Sequence, residues 1–520
     1  MVAAAVSGLL ALFTPQSILF MVIGVIYGLV IGVLPGLGGI VAMALVLPFT
    51  FGFQPAASLA LLLGAHAATV WGASITGILF NVPGAAKTIT SVFDGYPMTQ
   101  KGEGARALGA SAMAALLGGV IGAVFLVITI PVVRPLMLAL GPSEYFMMAL
   151  WGLSIIALFS EGSVLKGLVA AGMGILVAFI GMDPITGTAR YTFGNLFLLD
   201  GVSFPVAMIG LFAVSQMMKL FVRGGSGIDQ PIPEATSTVM DGVRDAFKHW
   251  WLVLRSSVLG LWIGVLPGVG ASVGGIAAYA QAAQTSKNPE RFGKGAVEGI
   301  IGPDATLAAT EGGGLLPTLA FGIPGGESMA ILLAAFINMG VTPGRQMLTT
   351  NLSLVFTMVW ILVISNILTT GIGLLSSRPL AQSARLPARY LVPTVLAVCF
   401  MGAYATRGRI GDVVVAAVFG AIGYVMDKYN YSRADFVIGM VLATMIERDL
   451  HISLTLYGNA FIFTRPVTLA MFLFVLFTMA LPVLRRWRMQ RRSPDGDGGG
   501  GGASGSEVEG TPQAPESSES

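Results

Sequence analysis

The chain has 520 residues, of which 55% are hydrophobic and only 11% charged, with a formal net charge of +3. A soluble domain carries about 25% charged residues, so this composition describes an all-α polytopic membrane protein, and its near-neutral balance gives no electrostatic footprint for nucleic acid. The single cysteine, Cys399, excludes an intramolecular disulfide and a cysteine cluster for zinc or iron–sulfur; His66, His249 and His451 lie too far apart in sequence for a zincin-like motif, which leaves only a composite metal site open.

No Asp, Glu, Lys or Arg occurs before Lys87. A secretory signal opens on a basic stretch; Met1 to Leu12 has none, so this segment is read as retained. Apolar runs of spanning length, about 20 residues each, fall at Leu9–Val33, Ala57–Phe80, Leu108–Val132, Phe146–Phe159 with Gly162–Ile180, and Phe204–Phe221. The stretch Arg223–His249 is rich in Gly, Pro, Ser and charge and reads as an extramembrane linker. After it come Trp250–Leu266, Val269–Ala283, Leu315–Phe336, Leu352–Leu375, Leu391–Ala403, Val413–Met426, Phe436–Ile446 and Pro466–Leu484. Several runs are short or carry Gly and Pro, so half-helices and re-entrant hairpins are expected among about 12 spans. The expected organisation is a first transmembrane repeat over 1–222, a polar linker over 223–249, a second repeat over 250–484 and a tail over 485–520. Arg485, Arg486, Arg488, Arg491 and Arg492 beside the last span place that end in the cytoplasm. From Ser493 the chain is Gly-, Ser-, Pro- and Glu-rich and is expected to be disordered.

Two interruptions recur in each half. Gly32-Val33-Leu34-Pro35-Gly36-Leu37-Gly38 is matched by Gly264-Val265-Leu266-Pro267-Gly268-Val269-Gly270, and Phe80-Asn81-Val82-Pro83-Gly84 by Phe321-Gly322-Ile323-Pro324-Gly325. Pro removes a backbone donor and Gly frees the dihedrals, so both break helices. Broken backbone at membrane depth survives only inside protein or along a polar cavity, and paired breaks point to a transporter's binding site. Helix N-terminal amides at such breaks favour anions, and free carbonyls suit Na⁺. The expected anion site is therefore Gly36, Gly38, Asn81, Pro83, Gly84, Lys87, Gly268, Gly270, Ser272, Thr306, Pro324, Gly325 and Gly326, with Na⁺ on carbonyls at Pro35, Pro267 and Gly322. The plainer reading is close helix packing through small residues, in a chain with 69 glycines.

Polar side chains near the second breaks are Ser91 and Asp94 in the first half, and Thr310, Glu311, Thr318, Glu327 and Ser328 in the second. Intramembrane carboxylates are costly and usually functional; Glu311 and Glu327 either have that role or lie in water-facing loops. Lys87 either pairs with an anionic substrate or snorkels to the interface. Asp94-Gly95-Tyr96-Pro97 reads as a loop entering a helix. Gly181-Met182-Asp183-Pro184-Ile185-Thr186-Gly187 reads as a turn in which Asp183 caps backbone groups rather than binding an ion. No Walker motif is present, so ATP hydrolysis is not expected.

Together these motifs resemble the large membrane subunit of the tripartite tricarboxylate transporter family, from Val22 to about Pro466. Further marks are Ala44-Leu45-Val46-Leu47-Pro48-Phe49-Thr50-Phe51-Gly52 and Phe292-Gly293-Lys294-Gly295 with Glu298-Gly299. The resemblance implies a secondary transporter, not an enzyme, of the bacterial inner membrane. Its expected partners are a small membrane subunit and a periplasmic substrate-binding protein, and its expected activity is uptake of carboxylates by cation symport. Na⁺ is the usual ion, with H⁺ the other choice, and no cofactor is implied. It also implies that the two repeats are inverted, with hairpins meeting at a central site. Two departures are visible: where the family tends to carry two adjacent asparagines after a Pro-acidic pair, this chain has Ala305-Thr306-Leu307-Ala308 after Pro303-Asp304, with no side-chain amide at 307 or 308, and Lys87 stands close by where many relatives have a small or polar residue after the first-half Pro-Gly. The rival readings are an integral membrane lipid or isoprenoid transferase, which needs clustered acidic or metal-binding residues at one interface, and a passive anion channel.

Overall fold

The computed structural model describes residues 1–159, 164–183, 185–223, 236–267, 271–383 and 387–491. In the first half the helices are α1 (Val2–Leu12), α2 (Pro15–Val33), α3 (Gly38–Val46), α4 (Pro55–Phe80), α5 (Thr90–Gln100), α6 (Gly104–Ala139), α7 (Pro142–Phe159) and α8 (Val164–Ala178). A two-stranded antiparallel ribbon follows, β1 (Gly181–Met182) and β2 (Ala189–Arg190), then α9 (Leu196–Leu199), α10 (Phe204–Met208), a π-helical turn over Ile209–Val214, and α11 (Ser215–Arg223). The second half holds α12 (Val239–Lys248), α13 (Trp250–Val265), α14 (Ala271–Thr285), α15 (Glu298–Phe321), α16 (Glu327–Asn338), α17 (Leu352–Leu375), α18 (Ser377–Ser383), α19 (Ala388–Arg407), α20 (Ile410–Lys428), α21 (Arg433–Tyr457), α22 (Phe461–Thr464) and α23 (Pro466–Arg491).

The fold is an all-α polytopic bundle. Among the described residues seven helices are long and apolar enough to cross a membrane, or eight if α21–α22 and α23, bent by 67°, form one span; five shorter apolar helices accompany them. α4 is wholly buried, which is why its apolar residues go all round rather than along one stripe.

Glycines on α2 and α13 bring the main packing together. A Cβ at Gly28 would lie 2.1 Å from the Ala65 carbonyl oxygen on α4, and one at Gly32 2.9 Å from Thr69 Cα. In the second half a Cβ at Gly260 would lie 2.3 Å from the Thr306 carbonyl oxygen on α15, and one at Gly264 2.3 Å from that of Thr310. Each crossing uses a glycine pair four residues apart against a helix whose contacts are also four apart, the small-residue geometry that lets backbones touch. Each of the two long helices then ends alike. α4 stops at Asn81 (φ 60°) and α15 at Gly322 (φ 69°), both left-handed caps. The chain folds back so that a Cβ at Gly84 would lie 2.6 Å from Ala73 Cα, and one at Gly325 2.6 Å from Gly314 Cα.

Several expected boundaries move. Leu9–Val33 is two helices, because Pro15 starts α2 and Thr14 caps it through the Ser17 amide. Leu315–Phe336 is divided by the break at Gly322–Gly326. Asp94-Gly95-Tyr96-Pro97 is not a loop but lies inside α5, and Glu311-Gly312-Gly313-Gly314 lies inside α15. Gly312 and Gly313 stay helical there because their bare faces meet Gly122 and Leu261 backbone. Within the polar stretch, residues 224–235 lie outside the described set, while α12 packs on α6: a Cβ at Gly242 would lie 1.8 Å from the Arg106 carbonyl oxygen, and Arg106 Nε donates to Asp245 at 2.6 Å. At about 1.5 Å per residue, the 36 residues of α6 run about 54 Å, more than a hydrocarbon core of about 30 Å. The expected disordered segment from Ser493 lies outside the described residues.

Candidate functional site

The first-half breaks are bonded to each other. The Gly36 amide donates to the Gly84 carbonyl at 2.9 Å, and the Gly84 amide to the Ala73 carbonyl at 3.2 Å. Gly36 (φ +82°) and Gly38 (φ +56°) hold the left-handed conformations that glycine adopts without strain. Beside them opens a cavity of about 520 Å³. Four helices begin on its wall: α3 with Gly38 and Gly39, α14 with Ala271 and Ser272, α16 with Glu327 and Ser328, and α21 with Arg433 and Ala434. The first amides of a helix have no intrahelical acceptor and sit at the positive end of its dipole. Anions are commonly bound where such helix starts gather.

Its charged lining is balanced: Lys87, Lys219 and Arg433 against Glu311, Glu327 and Asp427. Lys219 Nζ lies 2.5 Å from Asp427, and Arg433 is 3.9 Å from the same carboxylate while its guanidinium donates to Ser215 Oγ at 3.1 Å and stacks on Phe212. Lys219 and Gln216 reach the wall just after the π-helical turn, a local widening frequent at functional sites. On the other side Glu311 sits between two partners, His66 Nε2 at 2.6 Å and Lys87 Nζ at 3.3 Å. The Lys87 side chain is only 14% exposed and turns inward, which is not a snorkelling arrangement. His66 Nδ1 is buried without a hydrogen-bond partner among the described residues. It faces Gly39, where a Cβ would lie 2.6 Å from it and 2.4 Å from Thr69 Oγ1.

Of the residues singled out in the sequence, Gly36, Gly38, Pro83, Lys87, Ser272, Gly325 and Gly326 line this one cavity. Pro35, Asn81, Gly84, Thr306, Pro267, Gly322 and Pro324 are not on its wall. Thr306 instead donates to the Ser256 carbonyl at 2.8 Å across the α13–α15 crossing. Asn81 and Gly322 are helix caps, and Gly84 packs on Ala73. Gly268 and Gly270 lie outside the described residues. His66, Gln216, Lys219, Asp427 and Arg433 were not assigned to the site from sequence; a histidine inside an otherwise uncharged apolar run was the usable signal for His66.

Two other motif groups hold the scaffold. Asp94 on α5 accepts the Tyr279 hydroxyl at 2.9 Å and the amides of Gly295 and Ala296 at 2.8 Å each, so it fixes the chain entering α15. Asp183 accepts the Thr186 hydroxyl at 2.6 Å and the Ile185 amide at 2.9 Å. This is an Asx turn, and the Thr186 hydroxyl bond above all holds the Asp183 carboxyl below its ordinary range. Among the described residues no group of three or more His, Cys, Asp or Glu side chains is gathered as a metal would need.

The model of the tripartite tricarboxylate transporter TctA family matches residues 18–438. The chain belongs to this family. The match spans the breaks, the cavity wall and both glycine crossings of this TctA-family protein. It is also 30% identical over 480 residues, 92% of this chain and 95% of the other, to an Agrobacterium vitis protein described as an uncharacterized 52.8 kDa protein in the TAR-I ttuC' 3' region. A second Agrobacterium vitis protein, described as uncharacterized in the TAR-II ttuC' 3' region, is 30% identical over 234 residues, 45% of this chain and 97% of that protein. No solved structure matches the TctA-family chain.

Proposed function

We propose that the chain is the membrane-embedded subunit of a binding-protein-dependent secondary transporter that imports a carboxylate of the di- or tricarboxylate class by cation symport. The observation that supports this most is the convergence of four helix N-termini on one cavity that also carries Lys87, Lys219 and Arg433. Amides hold one carboxylate, and the cations answer the others. The lining sets three cations against three acids, so the wall carries no net charge of its own. A carboxylate displaces Glu311 from Lys87 and Asp427 from Arg433, and the exchanged contacts set its selectivity. Asparagine amides, expected of the family at 307 and 308, are replaced here by Leu307 and Ala308; Glu311 on the same helix, with His66 and Lys87 brought to it from the first half, supplies polar chemistry instead.

The coupling ion is Na⁺, with H⁺ on the His66–Glu311 pair as the second reading, favoured by the unpartnered His66 Nδ1. Each elementary charge moved across 100 mV of membrane potential is worth about 2.3 kcal/mol, enough for a few cations to drive a multivalent anion. The matched units α2–α4 and α13–α15 are inverted repeats that alternate access to the cavity. A small membrane subunit and a periplasmic binding protein complete the system in the inner membrane, with the basic C-terminal end cytoplasmic. Uptake of labelled carboxylates into proteoliposomes carrying both membrane subunits, with binding protein outside, tests the reading. Accumulation against a gradient only when an inward Na⁺ or H⁺ gradient is imposed supports it. Equilibration without accumulation indicates a channel, and no flux with turnover of a lipid substrate indicates an enzyme.

A further inference from the structure

A second polar site lies inside the bundle, away from the cavity wall. Asp304 on α15 is 2% exposed. Its Oδ1 accepts from Ser74 Oγ on α4 at 3.1 Å and lies 3.3 Å from Ser91 Oγ on α5, while its Oδ2 accepts from Ser111 Oγ on α6 at 2.5 Å. Ser74 and Ser91 are also 3.3 Å apart. Four helices thus bring together five side-chain oxygens, three hydroxyls and both oxygens of one carboxylate, and no salt bridge reaches Asp304 among the described residues. Other buried acids are answered differently: Asp412 by Arg407, Glu144 by Arg465, and Asp94 by two backbone amides.

A lone carboxylate in a membrane-embedded core is costly unless a cation or a proton neutralises it. Hydroxyls serve either state, because each can donate to the anion or turn a lone pair toward a metal ion. An all-oxygen donor set with one negative charge suits a hard monovalent cation, since a divalent one would leave a net positive charge buried. We infer that Asp304, Ser74, Ser91 and Ser111 form a Na⁺ site. The oxygens are in direct hydrogen-bond contact at 2.5–3.3 Å, so an entering ion must part them, and Na⁺ parts them less than the larger K⁺ does. Ser74 follows Ala73, whose carbonyl accepts the Gly84 amide and the Thr88 hydroxyl, and Glu311 lies two helical turns beyond Asp304 on α15. Bound Na⁺ therefore draws α4, α5 and α6 onto α15 beside the first-half break. That coupling role rests on the transport reading proposed above; the binding itself does not.

The experiment is ²²Na⁺ binding to the purified full chain in nanodiscs, with K⁺ and choline as competitors at fixed pH and ionic strength and no carboxylate present. Saturable binding resisted by K⁺ is expected, with affinity lowered about tenfold or more by Asp304→Asn and less by Ser111→Ala. Ser74→Ala and Ser111→Ala remove one hydroxyl each without a buried charge change, so they decide the matter if Asp304→Asn does not fold. Na⁺ affinity equal to wild type in all folded variants, or a wild-type chain that binds no Na⁺ and changes stability with pH alone, overturns the site. Carboxylate uptake is scored separately. Na⁺ binding lost in the variants of a chain that transports no carboxylate sinks the transport reading and leaves the site standing, whereas Na⁺-driven uptake untouched by Asp304→Asn sinks the site alone.

Discussion

Lys87→Met tests the cavity most directly. Methionine keeps the length and apolar stem of lysine but removes the charge that now lies 3.3 Å from Glu311 Oε1, with both side chains nearly closed off from solvent (14% and 11% exposed). A hydrogen bond to a charged group contributes about 1.5–3 kcal/mol, and about 1.4 kcal/mol is tenfold in Kd. Losing the Lys87 contact should therefore weaken carboxylate binding about 10- to 150-fold on that scale. Glu311, left with His66 alone, adds repulsion in the same direction. Breaking a buried pair also lowers stability, by up to about 3–5 kcal/mol, so affinity must be separated from folding. The double variant Lys87→Met/Glu311→Gln does this: it restores electrical balance and a hydrogen-bonding partner for His66, so its melting temperature should return toward wild type while binding stays weak. Glu311→Gln alone frees Lys87 and should bind the anion more tightly. The assay is calorimetric titration of the chain in nanodiscs with a panel of mono-, di- and tricarboxylates, beside its thermal melt. If Lys87→Met binds every member of the panel with wild-type affinity at an unchanged melting temperature, the lysine has no part in recognition and the exchange of Glu311 for substrate is wrong.

Other outcomes follow from the same geometry. Gly36→Val should abolish uptake per folded molecule, because φ +82° is strained for a β-branched residue and its Cβ would stand 3.0 Å from Gln216 Nε2 on the cavity wall; full uptake normalised to folded protein would remove Gly36 from the site. His249, at the end of α12, has its pKa raised chiefly by its hydrogen bond to Glu298, whose own carboxyl is lowered to about 2. A raised histidine contributes stability below its unfolded value of about 6.5, lost as pH rises through the folded value. The melting temperature should thus decline on going from pH 6 to 9, and His249→Gln should flatten that slope; equal slopes would deny the pair a role. Deleting Ser493–Ser520 should leave uptake intact, since so polar a segment buries no core; transport lost at normal membrane abundance would contradict this.

What the sequence made visible was backbone. Pro and Gly at Pro35–Gly38 and Asn81–Gly84 disclose broken helices because they alter the chain locally, and no distant partner is needed to read them. The charged groups of the cavity were not legible in this way. His66 and Glu311 are 245 residues apart, and Lys87 and Glu311 224, so neither pairing leaves a local pattern. For Glu311 the sequence left an intramembrane role and a water-facing loop both open; the three glycines after it stay helical because glycine's usual cost to a helix is offset by backbone contacts with α6 and α13. Asp94 misled toward a loop: its Asp-Gly-Tyr-Pro run carries turn chemistry, yet its carboxylate is consumed in holding Gly295 and Ala296 and the helix continues through Pro97.

The glycine crossings also divide the protein by how freely it can change. At Gly28, Gly32, Gly260 and Gly264 the partner is main chain, which no substitution elsewhere can reshape, so even one methyl group has nowhere to go. The cavity wall is built the other way: Lys87, Glu311, Lys219 and Arg433 meet side chains that can be exchanged as matched sets. If the cavity holds substrate as proposed, a lineage can replace its cargo by trading charges on the wall while the crossings stay untouched, and two members with little shared chemistry in the cavity can still have the same skeleton.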